Sequence, residues 1–119
     1  MRSKLTADRD SGNKVYEKEA DLENEAKKYA RGRGWFVRKY KGPGRRAHPD
    51  DLFAKDGHVF WIEFKRQGNT PTPLQRDEIY TMRAHGLDVL WLDSIEDFKA
   101  VLHDRERQID TRRGPEGCN

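Results

Sequence analysis

The sequence predicts a single α/β domain: a mixed sheet with flanking helices, in the order α-β-β-β-α-β-α. Three observations predict it. An amphipathic segment rich in Glu, Lys and Ala precedes three short runs of strand composition. Two of those runs are joined by Asp56-Gly57, a dipeptide suited to a type I′ hairpin turn. A second helical segment and an almost wholly apolar run follow, making a βαβ unit with its preceding strand.

The elements are justified in turn. Residues 1–15 are polar and include Asp-Ser-Gly-Asn, and read as a flexible arm or an extension that orders on binding. From about residue 16 to 31, Leu22, Ala26, Tyr29 and Ala30 recur at helical spacing, and Gly32 and Gly34 end the helix. "WFVRKY" (35–40) has strand composition, and "KGPGRR" is a loop. "DLFAK" and "HVFWIEFK" form the hairpin. Pro73 to about His85 reads as a helix, with Thr72-Pro73-Leu74-Gln75 as its capping box. "DVLWL" reads as a short buried strand. Ser94 caps a last helix of about "IEDFKAVLHD", with Asp97 three residues on. The folded domain therefore spans 16–103, and residues 104–119 read as a charged tail in which that helix frays.

The 119 residues suffice for one domain and no more. A chain this size hides roughly two thirds of its unfolded surface on folding. With 34% hydrophobic and 38% charged residues, the core is modest and leaves room for a second subunit to complete it. Net charge is +3, so the distribution of charge matters more than its total. The single cysteine, Cys118, rules out an intrachain disulfide and a multi-cysteine zinc site. Neither a secretory signal nor a membrane-length apolar run is present, and the reading is intracellular and cytoplasmic.

The chemistry sits between residues 45 and 75. Strand alternation puts Phe60, Ile62 and Phe64 on one face, and Val59, Trp61, Glu63 and Lys65 on the other. The hairpin returns the chain beside "PDDLF", so Asp50 comes next to Glu63. Asp51 points to the opposite face. Two close carboxylates repel unless a cation lies between them. Their oxygens suit a hard ion, Mg²⁺ or Mn²⁺. Such an ion activates water and polarises a phosphoryl oxygen. Lys65 is placed to hold the attacking water or to neutralise developing charge. These are the groups that phosphodiester hydrolysis requires. A basic run leads into them: Arg31, Arg33, Arg38, Lys39, Lys41, Arg45 and Arg46, with no acid between and with Trp35, Phe36 and Tyr40 interleaved. Arg38, Lys39, Lys41, Arg45, Arg46 and, beyond the strand, Arg66 are the candidate DNA contacts. Contacts of this kind position a phosphate backbone without reading its sequence.

Pro49-Asp50 followed by Glu63-x-Lys65 across a hairpin resembles the PD-(D/E)xK nuclease superfamily. The upstream Glu-bearing helix, the "EFK" strand and "TPLQ" opening the next helix resemble its VRR-NUC family over residues 16–103. At Ala47 the family commonly has Gly, which changes the backbone freedom of that loop. The resemblance implies a restriction-endonuclease-like fold. It implies Asp50, Glu63 and the Phe64 carbonyl as metal ligands, Lys65 as the catalytic lysine, and Gln75 reaching the site from its helix. It also implies a metal-side Glu from the first helix, which offers Glu17, Glu19, Glu23 and Glu25; Glu19 lies on the inward face, with Glu23 the alternative. Free-standing members imply a homodimer that cuts four-way DNA junctions, with phage replication, recombination or repair as the setting. The alternatives are a flap or nonspecific nuclease, or a noncatalytic DNA-binding module on the same fold. Bland readings stand beside these: Gln75 as a helix cap alone, and His48 as a loop bystander. Trp61 and Trp91 are candidates for an exposed dimer surface.

Overall fold

The computed structural model describes residues 18–40 and 47–113, with the backbone alone at 5–7, 14–16 and 113. Its strands are β1 (Leu5–Ala7), β2 (Lys14–Tyr16), β3 (Phe36–Lys39), β4 (Asp51–Lys55), β5 (His58–Phe64) and β6 (Val89–Leu92). Its helices are α1 (Glu19–Gly32), α2 (Pro73–Ala84) and α3 (Ile95–Arg113). The main sheet has the order β3-β4-β5-β6. Its first three strands are antiparallel, and β6 joins β5 in parallel. The α-β-β-β-α-β-α order read from the sequence holds for 19–113.

Two differences stand at the ends. β1 and β2 pair in a small antiparallel sheet of their own, where the sequence suggested an arm. Val15 and Tyr16 have strand-forming side chains and belong to β2, so the helix begins at Glu19 and not at 16. At the other end α3 continues to Arg113, well past the predicted boundary at 103. Ile109, only 3% exposed, belongs to the core. Its neighbour Glu106 accepts from Trp35 Nε1 at 3.0 Å and pairs with Arg33 at 2.8 Å. What reads as a charged tail continues as a helix, in which Arg105 and Glu106 pair with Asp88 and Arg33.

The turn chemistry agrees with the sequence. Asp56 (φ 48°) and Gly57 (φ 87°) both take positive φ between the paired Lys55 and His58, as a type I′ turn requires. Gly34 (φ 87°) closes α1, and Trp35 N–H donates back to Ala30 O at 3.0 Å. Asp97 N–H donates to Ser94 Oγ at 3.0 Å, capping α3.

The alternation of β5 sorts the two faces of the sheet. Phe60, Ile62 and Phe64 are buried with Val37 and Phe53 under α1 and α3, against Leu22, Ala26, Phe98 and Leu102. Phe53 stacks on Phe60 at 5.2 Å between ring centroids. The opposite face holds a smaller cluster, in which Ile79 and Met82 of α2 cover Val89 and the half-buried Trp61 and Trp91. Those two tryptophans therefore pack under α2 and do not form the exposed surface suggested above. At the far end of the sheet Arg105 grips Asp88 through two bonds of 2.8 and 3.0 Å, and His58 adds a third at 2.8 Å.

Candidate active site

The register of the hairpin decides where the carboxylates meet. Asp51 pairs with Ile62, so Asp50, one residue earlier, lies opposite Glu63. Asp50 remains in the ladder on its other side, accepting from Tyr40 N–H at 2.8 Å. Period-two alternation then puts Asp50, Glu63 and Lys65 on one face, at the sheet end where β4 begins and β5 finishes. Lys65 is tied to β6 through its N–H, which donates to Leu92 O at 2.8 Å. The predicted trio therefore converges.

Lys65 is 9% exposed, and its Nζ lies 3.7 Å from Glu63 Oε2. The same oxygen accepts from Gln75 Nε2 at 3.1 Å. Gln75 also completes the capping box of α2: its N–H donates to Thr72 Oγ1 at 3.2 Å, and its Oε1 accepts from Thr72 N–H at 2.9 Å. The two readings of Gln75, cap and site residue, are both realised by one amide. Burial pushes the Glu63 carboxyl up to about 7, repulsion from Asp50 and Glu19 adds to this, and the Lys65 ammonium opposes it.

Glu19 opens α1, is exposed, and is near enough to raise Glu63. Glu23, one turn on, is engaged elsewhere. It pairs with Lys27 at 3.4 Å and Lys39 at 3.2 Å, and hydrogen-bonds Asp51. Asp51 faces α1, as the alternation requires, and is 2% exposed. Lys27 Nζ stands 3.2 Å from Asp51 Oδ1 without hydrogen-bond alignment. Burial and the neighbouring Glu23 push the Asp51 carboxyl up to about 8. Burial also acts upward on Glu23, but the Asp51 hydrogen bond, Lys27 and Lys39 outweigh it and its pKa falls. The pair behaves as two carboxyls holding one proton directly behind Asp50. No sequence pattern marks Lys27, because its partner lies in another element.

The side-chain donors at this sheet end are two carboxylates, and the Phe64 ring is buried in the core, so that residue has only its main chain to offer. Among the described residues no three His, Cys, Asp or Glu side chains gather into an ion-holding group, so Glu19 contributes charge nearby. Such a donor set fits Mg²⁺ or Mn²⁺, because Mg²⁺ is commonly held by one or two carboxylates and keeps waters for the remainder.

The basic candidates divide. Arg38 lies on the Glu63 face, its guanidinium 4.2 Å from the Phe36 ring centroid and its Nη1 donating to Val37 O at 2.8 Å. Lys39 points to the other face, toward Glu23. Arg66 is exposed immediately after Lys65. Lys41, Arg45 and Arg46, together with Glu17, lie outside the described residues. His48 is no isolated bystander: its ring meets Trp61 edge-on at 5.0 Å and its Nδ1 lies 2.6 Å from Pro49 O.

Comparison with known proteins points the same way. No family model matches the sequence. Over 70 residues the chain is 39% identical to p44, a protein of Acyrthosiphon pisum secondary endosymbiont phage 1 that is named as a nuclease; the match covers 58% of this chain and 74% of that protein. A solved structure described as a VRR_NUC domain superposes with a TM-score of 0.67 at 26% identity, covering 71% of this chain and 94% of that one. With the Asp50, Glu63 and Lys65 arrangement already on the fold that this domain shares, the chain belongs to the VRR-NUC family of nucleases.

Proposed function

We propose that the protein is a metal-dependent, structure-selective DNA endonuclease, acting as a homodimer on four-way junctions. The observation that carries the reading is the meeting of Asp50 and Glu63 across the β4–β5 register, with Lys65 and Gln75 on the same sheet end. Asp50, Glu63 and the Phe64 carbonyl would hold Mg²⁺ or Mn²⁺. When bound, the ion supplies Lewis acidity toward a phosphoryl oxygen and a lowered pKa for water.

The chain's own residues do the rest. Gln75 orients Glu63 by donating to Oε2, the same oxygen that lies 3.7 Å from Lys65 Nζ. Lys65 provides a fixed cation for charge that grows on the phosphate in the transition state. The water oxygen bonds to phosphorus while the bond from phosphorus to the 3′ oxygen breaks. A proton ends on that oxygen, so the products are a 5′-phosphate and a 3′-hydroxyl. Arg38 and Arg66 flank the site and neutralise the backbone on either side. A two-fold dimer would offer two such sites to two opposed strands, as a junction needs.

The test is cleavage of labelled four-way junction, flap and linear duplex with Mg²⁺, Mn²⁺ or EDTA, beside Glu63→Ala. Paired symmetric cuts in the junction, dependent on cation and lost in the variant, are the expected result. Equal cutting of all three substrates would make it a general nuclease. Undiminished cutting by Glu63→Ala would overturn the mechanism.

A further inference from the structure

Among the described residues, one half of the sheet face that carries Glu63 has no helix over it. α2 covers the β5–β6 half through Ile79 and Met82. The β3–β4 half remains open among the described residues, with Phe36 45% and Tyr40 49% exposed, and so does the start of β5, where Val59 is 46% exposed. These residues share a face with Glu63 by register. Phe36 pairs with Ala54, and Ala54 pairs with Val59; Arg38 pairs with Leu52, and Leu52 pairs with Trp61.

At the border of this open half three rings gather beside the carboxylates, with Trp61 on β5 also packed against α2. Tyr40 lies 6.2 Å from Trp61 between ring centroids, and His48 meets Trp61 at 5.0 Å. The ring cluster adjoins the site on two strands. Trp61 precedes Glu63 by two residues on one strand face, and Tyr40 donates its N–H to the carbonyl of Asp50. On β3, one place along the same face from Tyr40, Arg38 stacks over Phe36 at 4.2 Å.

Composition and charge select the occupant. A half-exposed Tyr beside Trp, with a guanidinium on the neighbouring ring, is the surface on which nucleobases stack, because every base has a π-face and the backbone between bases is anionic. On this face Arg38 supplies a described cation, and the sequence run 31–46 that contains it carries seven Lys and Arg residues and no acid. A duplex cannot use such a surface, since both faces of each base are already covered by its neighbours. We infer that the Tyr40–Trp61–His48 cluster receives an unpaired base flanking the phosphate held at Asp50 and Glu63. The inference rests on the nuclease reading and deepens it. It makes DNA whose base next to the cut is unpaired or can open at a branch, as at a junction crossover or a single-stranded arm, the preferred substrate class. Preference for structure then arises from one stacking site, with no sequence-reading element.

The experiment uses the full chain in EDTA, so that binding is measured without cleavage. Three labelled DNAs of equal length serve as probes: a thymine single strand, a fork with an unpaired arm, and a blunt duplex. Trp61 also packs under α2, so the variants are Tyr40→Ala and Tyr40→Phe, at a half-exposed position. The wild type is expected to bind the fork and the single strand about tenfold tighter than the duplex. Tyr40→Ala is expected to lose about tenfold on those two alone, and Tyr40→Phe to retain the preference. A 2-aminopurine placed unpaired beside the branch is expected to be quenched by the wild type and not by Tyr40→Ala.

Equal wild-type binding to all three DNAs, or an equal loss on all three in Tyr40→Ala, overturns the inference. So does conversion of a dimer to a monomer by Tyr40→Ala in sedimentation, which would assign this face to a second copy of the chain. Cutting after addition of Mg²⁺ separates the two readings. DNA bound and cut without the Tyr40-dependent preference brings down this inference alone. No binding and no cutting bring down the nuclease reading with it.

Discussion

The side-chain amide of Gln75 joins α2 to Glu63: Oε1 accepts from Thr72 N–H at 2.9 Å while Nε2 donates to Glu63 Oε2 at 3.1 Å. One residue thus caps a helix and orients a carboxylate, and substitutions separate the two roles. Glu at this position preserves the acceptor that a capping box uses but places a negative charge against Glu63. Gln75→Glu is expected to keep its urea midpoint and to cut at least tenfold more slowly. Gln75→Ala is expected to lose about 1 kcal/mol of stability as well. Equal cutting by wild type and Gln75→Glu would leave the cap as the whole role.

Glu63 gives a pH dependence with a definite sign. Its folded pKa is raised from 4.5 to about 7, chiefly by burial. The folded state therefore holds the proton more tightly than the unfolded one. The contribution of this group to stability is complete below pH 4.5 and is lost as pH rises through 7. In EDTA, thermal melts of the wild type are expected to fall between pH 5 and 8 relative to those of Glu63→Gln, which stays neutral. The difference is expected to be on the order of 2–3 kcal/mol. At pH 8, Mg²⁺ is expected to raise the wild-type melting temperature and leave that of Glu63→Gln almost unchanged. Parallel curves for the two proteins would contradict the burial argument.

Much of this site was legible because it depends on local period. Alternation along β5 separated Phe60, Ile62 and Phe64 from Trp61, Glu63 and Lys65. Asp56-Gly57 fixed the turn, and therefore the register that brings Asp50 opposite Glu63. The contacts that escaped the sequence join distant elements. Lys27 meets Asp51 from α1, and no spacing relates them. The stretch after 103 misled for a physical reason: dense charge resembles a solvated tail, yet Arg105 is matched by Asp88 and Glu106 by Arg33. The Tyr40–Trp61 contact crosses β4, so it appears only once the sheet is assembled.

Asp51 offers a separate test of how α1 is held to the sheet. Its side chain is 3% exposed and Lys27 is the cation beside it. Its carboxyl is raised to about 8 by burial and by Glu23, so it is largely protonated at pH 6 and largely ionised at pH 9. Lys27→Met removes the compensating charge. The loss is expected to be below 1 kcal/mol at pH 6, where the pair carries one negative charge, and about 3 kcal/mol at pH 9, where it carries two. Asp51→Asn removes the second charge and is expected to abolish the difference between the two pH values. Urea unfolding of the three proteins at each pH measures this, and a pH-independent loss in Lys27→Met would contradict the shared proton.

The last turns of α3 are expected to be part of the cooperative fold. Ile109 is 3% exposed within the main core, and Glu106 accepts from the indole N–H of Trp35, itself 4% exposed. Ile109→Ala removes buried apolar volume at a cost of about 2–4 kcal/mol. Glu106→Ala leaves a buried indole donor without its acceptor, costing about 1–2 kcal/mol. Glu106→Gln retains an acceptor and is expected to cost less than Glu106→Ala, which distinguishes the Trp35 bond from the exposed Arg33 ion pair. A chain ending at residue 103 loses both contacts and is expected to unfold at lower urea than either variant. A truncated chain as stable as the full one would return residues 104–113 to the status of a tail.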